Sequence, residues 1–372
     1  MKYIFLFVFC VLYVFSFFTG LPTKVSAQEN VKNPTAKAKI IKEVEQSEGD
    51  SGLQQKLRLQ ITRGENKGEI IEITNKKRPN GSTGYYKQGD SVLIEKILDG
   101  KWVIQDYWKS DYIILLFIIF ILLTLVILKW GGVSTLLSLS ITFLVIIKML
   151  LPMILSGFNP VFASILASII IVPISFYLSH GLNKKTSIAI FSTFITLIAV
   201  GTLSLIFTNL SKITGIEQEG ITYLQIFSGT QISFVGLFLA GIIIAAIGTL
   251  DDVTINQASV VNELKKANPR LSISDSYTRA MGVGYDHISS LVNTLILVYT
   301  GAFLPLMLLF ATEQFSLLSV LNFEIVASEI IRTLVGSIGL ILAVPLTTIL
   351  ASIFLDGDED EYSHSHTHIH YH

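Results

Sequence analysis

The stretch FVGLFLAGIIIAAIGTLDDVTINQASVVNEL, residues 234–264, joins an apolar run too long for a soluble core to a polar continuation that opens on two adjacent carboxylates. Phe234 to Leu250 approaches the roughly 20 residues a helix needs to cross hydrocarbon. Gly236/Ala240 and Gly241/Ala245 are each four apart, which predicts a central helix approached closely by its neighbours. Continued at 3.6 residues per turn, the segment separates two faces beyond Leu250. Leu250, Val253, Val260, Val261 and Leu264 make an apolar stripe, and Asp252, Asn256, Ser259 and Glu263 stack along another. That ridge of oxygen-bearing side chains, with Asp251 beside it, is read as a candidate ion- or proton-coupling site. The competing reading is a solvated helix face, with the carboxylates serving only as capping and dipole groups.

The rest of the chain fits the same environment. Of 372 residues, 51% are hydrophobic and only 15% charged, too apolar for an ordinary soluble domain. Beyond Lys109 seven runs are long enough to be spans: Ile113–Leu128, Val133–Leu151, Val161–Leu178, Ser187–Phe207, Phe234–Leu250, Ile288–Phe310 and Ile331–Phe354. Apolar stretches within 211–233 and 312–329 are read as re-entrant or interfacial, or as an eighth span. Pro173, Pro305 and Pro345 fall inside spans, where each removes a backbone donor. The predicted fold is an α-helical polytopic membrane protein, residues 110–355, in a lipid bilayer.

At the other end, residues 1–27 carry an apolar run and a small-residue site at Val25-Ser26-Ala27, read as a signal peptide or an uncleaved anchor. Both place residue 28 outside. Residues 28–50 are polar and read as a flexible linker. Residues 51–109 alternate with period two between turn signals, predicting four or five strands in a small extracytoplasmic β domain, an OB- or SH3-like barrel. That domain suits a structural role or docking of a membrane or extracytoplasmic protein partner.

Orientation follows from short-loop bases. Lys129, Lys184, Lys185, Lys265, Lys266, Arg270 and Arg279 share one side, against little more than Lys212 on the other, which predicts a bacterial cytoplasmic-membrane protein with a cytoplasmic C-terminus. Lys148 and Arg332 fall near outer helix ends, where their stems can snorkel. The loop ahead of the sixth span carries Arg279, Asp286 and His287, so that Asp286 and His287 pair with Arg279 or complete a site with Asp251 and Asp252. Gly282 and Gly284 there are read as packing glycines.

A net charge of −1 without a basic stripe gives no ground for a nucleic-acid partner, and Cys10 is the single cysteine. His-Glu-x-x-His and Gly-x-Ser-x-Gly are absent from the sequence, so an enzyme is not expected. The tail 356–372 is acidic and then carries His364, His366, His368, His370 and His372 at alternate positions. Such a tail is a compositional signal, with weak capture of a divalent metal as its functional reading and no resident cofactor. Oligomeric state is not encoded in any pattern read here.

The segments KGEIIEITN (67–75), YYKQGDSVLIE (85–95), IQDYWKSDY (104–112) and above all GTLDDVTINQASVVNEL (248–264) resemble the YibE/F-like family of bacterial multi-pass membrane proteins, over roughly Leu53 to Phe354. The resemblance implies an integral membrane protein of no established activity, suspected to transport, and assigns no catalytic or ligand residue. A transporter or channel for an ion or small solute and a non-catalytic membrane scaffold or regulatory subunit remain the competing readings, with an intramembrane enzyme third.

Overall fold

The computed structural model describes residues 33–356, apart from 50–51, 65, 77–85, 98, 217–220, 222–223, 225–231 and 313–314. The expected signal or anchor and the His-rich tail, with His364 to His372, lie outside the described residues. The chain divides into two units, residues 28–129 and the helical remainder.

In the first unit, strands β1 (Thr35–Gly49), β2 (Gly52–Arg63), β3 (Ile70–Lys76), β4 (Ser91–Lys96) and β5 (Trp102–Tyr107) form an antiparallel sheet in the order β3-β2-β1-β4-β5. The sheet curls around Ala36, Ala38, Ile40, Leu57, Leu59, Ile61, Tyr86, Val92 and Ile94, giving the small β domain the sequence predicts. One expectation is corrected. Residues 28–50, read as linker, contain β1, which pairs with both β2 and β4. Its inward residues Ala36 and Ala38 alternate with Lys37 and Lys39, so small apolar groups are enough to seat a strand whose composition looks polar.

Helix α1 (Ser110–Leu128) follows β5 directly. Its Asp111 accepts from Lys37 Nζ at 2.6 Å and from Trp108 Nε1 at 2.9 Å, which ties the start of the helix to the sheet it follows. None of its residues is buried within the chain, as suits an apolar helix whose solvent is lipid.

The second unit is a helical bundle. Helix α2 (Trp130–Val145) continues through a π-helical turn (Ile146–Leu150) into α3 (Leu151–Leu155), followed by α4 (Pro160–His180) and α5 (Lys184–Leu210). Then come α6 (Phe234–Ala267), α7 (Ile273–Ala302), α8 (Leu304–Thr312), α9 (Leu317–Asn322) and α10 (Glu324–Phe354). Asn159 Oδ1 caps α4, Asn183 caps α5 and Ser233 caps α6, each accepting from a first-turn backbone N–H. Among the described residues six helices are long and apolar enough to cross a membrane, and α7 with α8 makes a seventh if that pair, bent by 62°, is one span. The break falls at Phe303, two residues before Pro305. The stretch 312–329 contributes the short α9 and the start of α10 rather than a span, and 211–233 falls largely outside the described residues.

Helix α6 is the axis of the bundle, packed against α4, α5, α7 and α10. At its 34 residues and 1.5 Å per residue it is about 51 Å long, well over the ~30 Å of hydrocarbon. At its first turn, a Cβ on Gly236 would stand 3.1 Å from Pro160 Cδ of α4, so this glycine allows the expected close approach. Gly241, Ala245 and Gly248 do not: they are exposed, with nothing within 4 Å of a Cβ at either glycine. At the same end of the bundle, the Glu324 carboxylate accepts from Thr214 N at 2.9 Å and Gly215 N at 2.7 Å, fastening the segment after α5 to the start of α10.

Candidate functional site

Small hydroxyl side chains are set among the apolar residues of the bundle interior. Ser164 and Ser168 of α4, Ser192, Thr193, Thr196 and Ser204 of α5, Thr254 of α6 and Thr348 and Ser352 of α10 are buried. Most return their hydrogen to a carbonyl one turn back, as Thr193 does to Ala189 O and Thr348 to Val344 O. That local satisfaction makes a hydroxyl tolerable where water is scarce.

Three polar side chains of α6, spaced three residues apart, reach across to neighbouring helices, Thr254 while also donating to Leu250 O at 2.9 Å. Asp251 Oδ2 accepts from Ser175 Oγ of α4 at 3.0 Å. Thr254 Oγ1 lies 2.9 Å from Thr193 Oγ1 of α5. Gln257 Nε2 donates to Ala280 O of α7 at 3.0 Å and to Thr348 Oγ1 of α10 at 2.7 Å. Together they form a polar column that touches all four helices around α6. Gln257 is 1% exposed, and both hydrogens of its amide are used, so it is a fixed cross-brace. Asp251 differs: its Oδ1 is buried and has no hydrogen-bond partner among the described residues.

This column is not the ridge that the sequence singles out. Asp252, Asn256 and Glu263 are exposed and Ser259 is partly so, its hydroxyl bonded to Ile255 O. That ridge continues the exposed Gly241, Ala245 and Gly248 as one outward stripe of α6. The apolar stripe is nearer the truth, since Leu250, Val253 and Val261 are buried. Thr254 and Gln257 escape the sequence reading because they lie on the apolar face itself, among Leu250, Val253 and Val261, where a core position is expected to be apolar. The available signal was their spacing from Asp251, three residues apart each time.

The stretch that follows α6 in sequence is mostly helix. The polar loop is only residues 268–272; α7 begins at Ile273, capped by Ser272, whose Oγ accepts from Asp275 N. Arg279 and Asp286 are exposed on that helix and His287 is partly buried. No ion pair joins Arg279, Asp286, His287, Asp251 or Asp252 among the described residues. Gly284 is a packing glycine as expected, with its position held against Val344 and Gln257, whereas Gly282 faces open space.

Near the other end of the bundle, the Arg332 guanidinium donates to Glu329 Oε2 at 2.9 Å and lies 5.4 Å from the ring centre of Phe238. Glu329 is 9% exposed and forms part of the wall of an apolar cavity of about 610 Å³ between α7, α8, α9 and α10. An ion pair so placed offsets a desolvation cost that either member alone would bear. At the far end of α6, Lys265 Nζ donates to Ser352 O at 2.7 Å and to Leu355 O, closing the C-terminus of α10. Among the described residues no group of three His, Cys, Asp or Glu side chains is gathered as a metal site.

Comparison with known proteins gives one match: the family model described as YibE/F-like protein covers residues 116–357, about two thirds of the chain and none of the β sheet. No curated protein and no solved structure matches.

Proposed function

Since the chain belongs to the YibE/F-like family and is built of several membrane-spanning helices, we propose that it moves an ion or small solute across the bilayer, with Asp251 as the coupling group. The observation that carries this reading is the Asp251 carboxylate itself, turned in against Ser175 of α4 where the apolar run of α6 ends, with one oxygen buried and without a hydrogen-bond partner among the described residues. Ionisable groups are costly in and beside the hydrocarbon, and those retained within a helical bundle commonly mark ion or solute pathways. Asp251 lies 17 residues into α6, about 26 Å along it, near the margin of the hydrocarbon. The exposed ridge of Asp252, Asn256, Ser259 and Glu263 forms the polar approach to it. Neither role is that of an enzyme.

The loop bases Lys184, Lys185, Lys265, Lys266 and Arg270 all lie at the Asp251 end of the spans. By the positive-inside rule this end is cytoplasmic, the N-terminal β domain is outside, and the membrane is the bacterial cytoplasmic one.

The test is flux in proteoliposomes containing the full chain, under imposed gradients of protons, sodium, potassium and magnesium. Asp251→Asn removes the charge at nearly constant volume and should abolish wild-type flux, while exposed Asp252→Asn retains most of it. Wild-type flux that Asp251→Asn leaves unchanged would overturn this role. Absence of flux for the whole panel would favour the membrane scaffold or regulatory subunit, in which the β domain and the exposed ridge engage protein partners.

A further inference from the structure

We propose that the ion taken up at Asp251 is a proton, bound on Oδ1 of its carboxylate. The inference rests on the transport reading above and deepens it by naming the ion. Asp251 Oδ2 already accepts the Ser175 hydroxyl at 3.0 Å, whereas Oδ1 is buried without a donor. A bare carboxylate oxygen taken out of water needs a cation, a donor or a proton.

A metal cation finds too few ligands here. Magnesium requires six oxygens and calcium six to eight, but Ser175 is the one side chain of another helix bonded to this carboxylate among the described residues. Sodium sites in transporters draw on carbonyls freed where a helix unwinds. Helix α6 runs unbroken from Phe234 to Ala267, so its own carbonyls around Asp251 stay in the helical ladder. In α4 the break is limited to Pro173, which frees the carbonyl of Ile169, a residue exposed on the outside of the bundle.

A fixed positive charge is missing too. No Lys, Arg or His nitrogen lies within ion-pair distance of Asp251 among the described residues. The neighbouring charge that acts on it is Asp252. His180 at the end of α4 and Lys185 at the start of α5 interact with each other, and His180 with Asp252. Helices α7 and α10 are bonded to α6 six residues further on, at Gln257, through Ala280 and Thr348, which carry no charge. What remains is one oxygen with room in its valence for one hydrogen. On uptake, an O–H bond of hydronium breaks and one forms on Oδ1, releasing water. The carboxylate becomes a neutral acid, and the Ser175 bond to Oδ2 is kept.

Infrared spectroscopy of the full chain in lipid bilayers, titrated from acid to mildly alkaline pH in choline chloride, reads the protonated carboxyl directly. The expected result is a carboxylic C=O band that titrates in the wild type and in Asp252→Asn and is lost in Asp251→Asn. Asp251→Glu, which keeps the acid but moves its oxygens, should shift the band rather than remove it, so the test survives a poorly folding Asn variant. A band that disappears when sodium, potassium, magnesium or calcium chloride replaces choline chloride at fixed pH would make Asp251 a cation ligand. That result overturns the proton and leaves transport intact. Lack of any band that depends on residue 251 overturns the proton as well. A titrating Asp251 band combined with flux indifferent to Asp251→Asn supports the proton site and sinks the transport role.

Discussion

A Cβ on Gly284 of α7 would stand 2.6 Å from Cγ1 of Val344 on α10, and 3.1 Å from the Gln257 amide nitrogen that braces the two helices to α6. The glycine is therefore what lets three helices share one cross-brace. Gly284→Ala should lower stability by about 1–3 kcal/mol through overpacking. Gly282→Ala, one helical position pair earlier with nothing within 4 Å, should be neutral or stabilise by up to about 1 kcal/mol through helix propensity. Thermal unfolding of the two variants in the same detergent is the comparison; equal losses would mean that the contact with Val344 and Gln257 is not what the glycine serves.

In the β domain, Tyr86 is 1% exposed, its hydroxyl has no hydrogen-bond partner among the described residues, and its ring lies 4.8 Å from that of Tyr107. Burial pushes its phenol up to about 12, with the charges of Asp106 and Tyr107 adding to the effect. Because the folded state holds this proton more tightly than the unfolded chain, whose tyrosines titrate near 10, stability is full below about pH 10 and declines as pH rises toward about 12. Tyr86→Phe should abolish that part of the alkaline decline. It should also leave neutral-pH stability equal or about 1 kcal/mol higher, since an unpaired buried hydroxyl is removed. Denaturant unfolding followed as a function of pH decides it, and an unchanged alkaline slope in the variant would refute the assignment.

Lys265 holds the last turn of α10 through Ser352 O and Leu355 O. Lys265→Met keeps the stem and removes the charged donor, which should cost about 1.5–3 kcal/mol. The effect should be local first, with faster hydrogen exchange at the backbone amides of 352–355. Protection equal to wild type would show that the contact carries no load.

The span pattern was legible because lipid selects long apolar runs irrespective of how they pack. The bundle's inward face was not, and α6 shows the reason. Its exposed residues Gly241, Ala245 and Gly248 are as free of polar groups as its buried Ile242, Ile243 and Ile247, so polarity gives periodicity no contrast to report. Where the helix turns polar, contrast returns but misleads: the eye follows the fully polar ridge from Asp252 to Glu263, whereas the buried column at Asp251, Thr254 and Gln257 is interleaved with valine and alanine. Strand β1 was obscured by a related effect, alanines standing where bulkier core residues usually announce a strand. The Glu329–Arg332 pair was hidden differently, since spacing of three permits an ion pair without revealing that Phe238 of another helix closes over it.

Helix α6 outreaches the hydrocarbon by roughly 20 Å and contains no proline to act as a joint. Asp251 stands just past the middle of that rod, and one uninterrupted ladder of backbone hydrogen bonds therefore links the Gly236 approach to Pro160, the buried carboxylate oxygen and the Lys265 clasp on the α10 terminus.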